Sequence, residues 1–189
     1  MSLIRPNEPS IDTNKHLTQS EVDTHLVKQD TLTYTNTVAY LVARQTDGSR
    51  ISPPTLTLDP TLGVIEDRWH LDEHRSLNEQ IAAMNSQVAR WIANTQSLTL
   101  FGDALFLDIN MSESVLPVGS RLSIGDCVLE VTAEPHLPCS KFRLRFGHPA
   151  FQTCLQHKQF NLRGVYLRVL HGGTVALNDP ITVHPPPKQ

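Results

Sequence analysis

Apolar residues in this chain follow two rhythms. A period of two recurs from residue 37 onward, and one stretch repeats every three to four residues. Residues 37–44 (TVAYLVAR) are apolar and β-branched and predict a strand. Residues 55–59 (TLTLD) alternate strictly, which predicts a half-buried strand. Between them, Asp47-Gly48 signals a turn and Pro53-Pro54 forces extended backbone. Leu77, Ile81, Met84, Val88 and Ile92 then recur at spacings of three and four. They predict one amphipathic helix from Leu77 to about Asn94, opened by a Ser76–Glu79 capping box. Its apolar face reads as core packing, with Trp91 at the edge.

After residue 97 the period of two returns. Residues 98–100 and 104–109 predict short strands around Gly102-Asp103. Residues 121–124 and 127–132 flank Gly125-Asp126, a step suited to a tight hairpin. The closing strands are 165–170, 174–177 and 181–184, with 171–173 (HGG) as a hairpin turn; residues 149–157 predict a short helix. The first thirty residues are polar and contain Pro6 and Pro9, so an extended or partly helical arm is expected. Its short helix would span 20–27, capped by Ser20 with Asp23 in support. Many short strands and one main helix predict a mainly β fold: a closed or nearly closed mixed β-barrel with peripheral helices. The expected layout is an arm (1–36), a barrel (37–184) and a Pro-rich tail (185–189).

Composition narrows the class. Hydrophobic residues make up 39% and charged residues 19%, which suits a soluble globular domain of 189 residues. The net charge is −3 and no long basic run is present, which argues against a nucleic-acid partner. No apolar run approaches the roughly 20 residues that span a bilayer, and no secretory leader is expected. Three cysteines without framework spacing favour a reducing compartment, most simply the cytoplasm.

The chemistry concentrates in residues 130–147 (EVTAEPHLPCSKFRLRFG). A strand feeds a turn that delivers Cys139, and Lys141, Arg143, Arg145 and His148 follow it. A thiol is a nucleophile or metal ligand as thiolate, a form that nearby positive charge favours. If 141–145 is a strand, Lys141, Arg143 and Arg145 share one face and line an anionic pocket, while Phe142, Leu144 and Phe146 turn to the core. The competing reading makes Cys139 a small buried hydrophobe and the cations a solvated face. His136 would allow a His-x-x-Cys metal pair, but no second pair at zinc-like spacing follows; Cys154 with His157 comes nearest. Cys127 and Cys154 read as buried and inert. No G-x-S-x-G, glycine-rich phosphate loop or Cys-x-x-Cys occurs.

The segments PHLPCSKFRLRFG and LRGVYLRVLHGGTVALNDPITV resemble the MOSC domain, the family named for the C-terminal domain of molybdenum cofactor sulfurase. LTLDPTLGVIEDRW, FGDALFLDINMSESVLPVGSRLSIGD and VLEVT fall in the same family order, so the resemblance runs over about residues 37–183. It implies a mixed β-barrel decorated by helices and a molybdenum–pterin cofactor with Cys139 as thiolate ligand. Lys141, Arg143, Arg145 and Arg168 would hold the pterin phosphate. Arg168 has a second reading, a bridge to Asp126 or Asp179. Where the family commonly has Gly-Asp-Arg-His, this chain has Glu66-Asp67-Arg68-Trp69; Asp67 and Arg68 carry over, either toward the ligand or as a bridge pinning the loop. Where many members have Glu-Asn-Leu, this chain has Leu107-Asp108-Ile109-Asn110, and Asp108 is the carboxylate that would stand in.

Three functions follow as expectations. The first is a stand-alone molybdenum-dependent oxidoreductase component, acting on N-hydroxylated or other oxygen-atom-transfer small molecules. The chain has no iron–sulfur cysteine set and no nucleotide fingerprint, so an external electron donor would serve it. The second is a sulfur carrier using a Cys139 persulfide, fed by a sulfur donor protein. The third is a degenerate binding domain without catalysis. Pyridoxal phosphate is associated with the family through members fused to a desulfurase domain; nothing in this chain resembles that domain.

Overall fold

The computed structural model describes residues 7–186; residues 1–6 of the expected arm and 187–189 of the tail lie outside the described residues. Alternation builds the barrel. In β8 (Arg121–Ile124), β9 (Cys127–Val131) and β10 (Val165–His171) every second side chain turns inward, burying Leu122, Ile124, Leu129, Val131, Leu167 and Val169. They join β12 (Ile181–His184), β6 (Ile81–Asn85), β7 (Leu105–Leu107) and β1 (Val38–Leu41) in a seven-stranded sheet of order β1-β7-β6-β10-β9-β8-β12. β6 and β7 run parallel and the other neighbours antiparallel. The two edges approach each other: Thr37 bridges Pro180, and the Val38 and Ile181 N–H groups donate to the Asp179 and Asn36 carbonyls. The sheet is thereby nearly closed, and edge groups that would otherwise seek a partner are satisfied. The ribbon β2 (Ala43–Arg44)–β3 (Arg50–Ile51) and the sheet β11 (Gly173–Ala176)–β4 (Thr55–Asp59)–β5 (Gly63–Val64) flank it.

β7 is buried on both faces. Leu105 and Leu107 enter the barrel core, while Phe106 packs outward with Phe101, Phe142 and Phe146. This second core fastens α2 (Ser86–Ala93) and α3 (Ser140–Gln156) to the barrel wall. Phe101 and Phe146 stack with centroids 4.1 Å apart, a geometry that adds about 0.5–1.5 kcal/mol to their burial.

Several expected elements take another form. The helix expected over 77–94 is a 3-10 turn (Leu77–Glu79), then strand β6, then the shorter α2. β6 is apolar on both faces, so its residues also satisfy a helical spacing. Asn85 stops the strand and caps α2 by accepting from the Gln87 and Val88 N–H groups. Residues 98–100 form a 3-10 turn, not a strand. Residues 171–173 make no hairpin: β11 pairs with β4, so Gly172-Gly173 carries the chain between sheets. The helix expected at 149–157 is the second half of α3, beyond a kink at Gly147 (φ 85°). The arm's helix α1 (Gln19–Val27) is capped by Thr18 with Glu21, in place of Ser20 with Asp23. The Gly125-Asp126 hairpin forms as expected, with Ile124 paired to Cys127. Among the described residues no helix is long and apolar enough to cross a membrane.

Candidate functional site

Residues 141–145 are helical, not extended. The change matters because a helix brings i and i+4 to one face, where a strand would have brought i and i+2. Lys141 and Arg145 therefore face together into a cleft of about 330 Å³. Arg143 does not line this cleft and is exposed. Phe142 and Phe146 anchor α3 in the second core. Cys139 is exposed, lines the cleft and occupies the N-cap position of α3, where its side chain makes no capping bond. Exposure of Cys139 overturns the reading of a small buried hydrophobe. Cys127 and Cys154 are buried, as expected.

Among the described residues, seven lysine or arginine side chains line the cleft against four carboxylates. Most of the arginines do not come from the cysteine segment. Arg44, on β2, donates from Nη2 to Asp67 at 2.8 Å, from Nε at 2.9 Å and from its backbone N–H at 2.7 Å. Asp67 also accepts from the Trp69 N–H and so caps the turn Arg68–Leu71. The loop is pinned by a bridge, but the arginine in it is Arg44. Arg68 lines the cleft and donates to the Gln45 carbonyl at 3.0 Å.

Deeper in, Arg163 Nη1 donates to both oxygens of Asp103 at 2.8 Å. Asp103 is fully buried and Arg163 is 9% exposed. Burial alone would push Arg163 down; the Asp103 charge and hydrogen bond outweigh it and lift the guanidinium above its usual range. Gly164 beside it has φ 96°, and a Cβ there would stand 2.0 Å from the Ala83 carbonyl, so glycine is required where β10 meets β6. The His136 side chain is 4% exposed. Burial, with Arg163 and Arg44 nearby, pushes it well below the ordinary histidine range. Its 3.7 Å approach to Asp103 is thus a contact of a neutral ring, and its Nδ1 has no hydrogen-bond partner.

Arg50, on β3, differs from these. It donates to the Thr99 and Phe101 carbonyls and, among the described residues, pairs with no carboxylate. Burial and the neighbouring Arg145 charge push it down to about 10. Arg145 pairs with Glu8 of the arm at 2.5 Å, and Lys141 lies 3.8 Å from the same carboxylate.

Besides Arg143, two expected site residues lie elsewhere. Arg168 is on the outer face of β10, because Leu167 and Val169 take the inward positions. It pairs with Glu130 directly opposite on β9, and not with Asp126 or Asp179. Asp108 lies away from the cleft, accepting from the Thr35 backbone and hydroxyl and from the Gln87 amide at 2.7–3.0 Å. That makes it a tie between the arm's end and α2. Arg44, Arg50, Arg75 and Glu8 also line the cleft and are not among the residues the sequence singles out. Their sequence neighbourhoods carry no motif, and they converge through the fold.

Among the described residues no group of three or more His, Cys, Asp and Glu side chains is placed to hold a metal ion. The His136–Cys139 pair gains no third ligand. A metal that arrives on an organic cofactor needs less from the protein: one accessible thiolate and counter-charges for the cofactor's phosphate. Cys139 and the cationic wall formed by Arg50, Lys141 and Arg145 fit that requirement.

A family model for the MOSC domain matches residues 70–182. Among solved structures, the YUAD protein from Bacillus subtilis (APC1665) superposes with a TM-score of 0.58 at 15% identity, over 78% of this chain and 94% of that one. YiiM from Geobacillus stearothermophilus gives 0.54 at 15% identity, over 78% and 74%. YiiM from Escherichia coli gives 0.53 at 19% identity, over 79% and 71%. At these identities the likeness is one of fold. No curated protein sequence matches the chain.

Proposed function

Because the chain belongs to the MOSC domain family, which is associated with molybdenum-cofactor binding, we propose that the cleft holds a molybdenum–pterin cofactor. The protein would then be the molybdenum-bearing component of an oxidoreductase for N-hydroxylated or other oxygen-atom-transfer substrates. One observation carries this reading: a single exposed thiol stands on the lining of a cleft with an excess of cations. Cys139 is the thiolate ligand. Lys141 and Arg145 hold the phosphate, assisted by Arg50, which lines the same cleft and bonds to backbone carbonyls instead of a carboxylate. Arg44 and Arg163 are committed to Asp67 and Asp103 and shape the cleft instead. His136, neutral and buried beside Asp103, contributes to the same lining. The bound molybdenum centre supplies oxygen-atom and electron exchange, and an external donor protein supplies the electrons.

The test is metal and pterin content of protein made in a cofactor-producing host, intact against Cys139→Ser. The expected result is near-stoichiometric molybdenum in the intact protein and none in the folded variant. No molybdenum in either, with both folded, refutes the proposal.

A second reading, a persulfide carrier, draws on a separate observation. Neither Cys127 nor Cys154 lines the cleft, so no neighbouring thiol is placed to discharge a Cys139 persulfide as a disulfide. It predicts a one-sulfur mass increase after incubation with a persulfide donor, whose outer sulfur passes to Cys139 as the donor leaves as a thiol, and no increase in Cys139→Ser. The exposed thiol and converging cations weigh against a degenerate binding domain.

A further inference from the structure

The arm places one of the chain's own carboxylates inside the cationic cleft. The Glu8 side chain is 3% exposed although its backbone belongs to no helix or strand. Its Oε2 accepts from Arg145 Nη2, and its Oε1 faces Lys141 Nζ at 3.8 Å without a hydrogen bond. Burying a carboxylate with one oxygen unbonded is costly unless cations offset it. Burial raises the Glu8 carboxyl, yet the Arg145 hydrogen bond and the Arg145, Lys141 and Arg50 charges more than reverse this.

The arm is fastened further along the chain. The Asp12 N–H donates to Gln96 Oε1 at 2.9 Å, the Asn94 amide donates to the Lys15 carbonyl at 3.1 Å, and the His16 ring meets the Arg145 carbonyl at 3.1 Å. His16 also packs where a Cβ on Gly147 would stand, at 3.0 Å. Glu8 lies on the N-terminal side of these ties. Among the described residues, its ion pairs and a 3.4 Å contact of Asn7 with Asp47 are the polar contacts at this end of the arm. Residues 12–16 are thus docked independently of Glu8, and Ile11 packs on the second core, so the Glu8 ion pairs stand at the N-terminal side of the docked segment. The segment lies outside the family match, which begins at residue 70.

We propose that Glu8 is a built-in counter-anion that occupies the phosphate position of the cleft and is displaced when a phosphate-bearing ligand enters. This rests on the reading above that Lys141 and Arg145 receive a phosphate. A phosphate offers more charge and three acceptor oxygens where Glu8 offers one bonded oxygen, so it outcompetes the carboxylate for the same two cations. Until then Glu8 satisfies Arg145, which would otherwise be a buried charge without a partner.

The experiment is titration of inorganic phosphate into intact protein, Glu8→Ala and Glu8→Gln in phosphate-free buffer, followed by calorimetry and by limited proteolysis of the arm. Glu8→Gln is nearly isosteric and guards against loss of fold in Glu8→Ala. The expected result is phosphate binding about tenfold tighter in Glu8→Ala, the gain when a competing state favoured by about 1.4 kcal/mol is removed. Phosphate should also make the intact arm cleavable ahead of residue 12. Binding equal to or weaker than that of the intact protein in both variants overturns the counter-anion role while leaving the phosphate site standing. No binding to any of the three overturns both.

Discussion

Replacing Asp103 by Ala leaves Arg163 as a charge in the protein interior with its main partner gone. Both oxygens of Asp103 accept from Arg163 Nη1, Asp103 is fully buried, and Arg163 Nε has no partner to fall back on. What remains near the guanidinium is the Phe142 ring at 5.3 Å, a contact of about 0.5–2 kcal/mol. Removing one partner of a buried pair costs about 3–5 kcal/mol. In a domain of this size each kcal/mol lowers Tm by about 2–4 °C, so the drop should be roughly 6–20 °C. Urea denaturation of the intact protein, Asp103→Ala, Arg163→Met and the double variant gives the coupling directly. The double variant should recover most of the loss, since it leaves no unpaired charge. A cost below about 1 kcal/mol for Asp103→Ala would refute the reasoning, as would a double variant that loses the sum of the singles, because the pair would then be solvated and independent.

Thiol labelling should single out one cysteine. Burial pushes the Cys154 thiol up to about 12, and burial with Asp126 nearby pushes Cys127 up to about 11. Iodoacetamide at mildly alkaline pH should add one label to native protein and none to Cys139→Ser, as read by intact mass. Asp108→Ala should destabilise by about 1–3 kcal/mol in urea without changing phosphate binding. Burial raises the Asp108 carboxyl, but the Thr35 and Gln87 hydrogen bonds bring it below its usual range. Its contribution is therefore present above the unfolded value and lost as pH falls through the folded one, so the gap between intact protein and variant should close in acid. Arg143→Gln and Arg168→Gln should stay within about 1 kcal/mol of intact stability and keep full phosphate affinity; Lys141→Gln and Arg145→Gln should lose it. Equal losses in all four would deny the distinction between the cleft face of α3 and the exposed positions.

Where side chains alternate between core and water, the strands could be read directly. β4, β8, β9 and the Gly125-Asp126 hairpin belong to this group. The reading failed where a segment is buried on both faces. In β6, Ile81, Ala83 and Met84 are all buried, and a run without a polar side has no period to declare. The same cause hid the boundary between β6 and α2, which depends on one residue, Asn85, leaving the sheet and capping the helix. The helix at 141–145 was misjudged for a different reason. K-F-R-L-R alternates as a strand should, but tertiary packing decided the matter: Phe142 and Phe146 meet Phe101 as an i, i+4 pair.

The site divides along a similar line. Cys139, Lys141 and Arg145 were visible because their chemistry is local in sequence. What could not be seen was which cations are already neutralised, since the partners stand far away along the chain. Arg44 and Asp67 are separated by 23 positions, Arg163 and Asp103 by 60, and Arg145 and Glu8 by 137. A charge count alone would rank all of these arginines as equal candidates for an anion. The pairing ranks them differently. Asp67 and Asp103 are themselves buried, so Arg44 and Arg163 are already neutralised by partners fixed in the fold. Glu8 lies on the arm, and Arg50 has carbonyls where the others have a carboxylate. If the arm moves, Lys141 and Arg145 lose their carboxylate together, beside Arg50, which has none among the described residues. Their combined charge suits a phosphate near its dianionic form, and Cys139 lies on the same cleft lining.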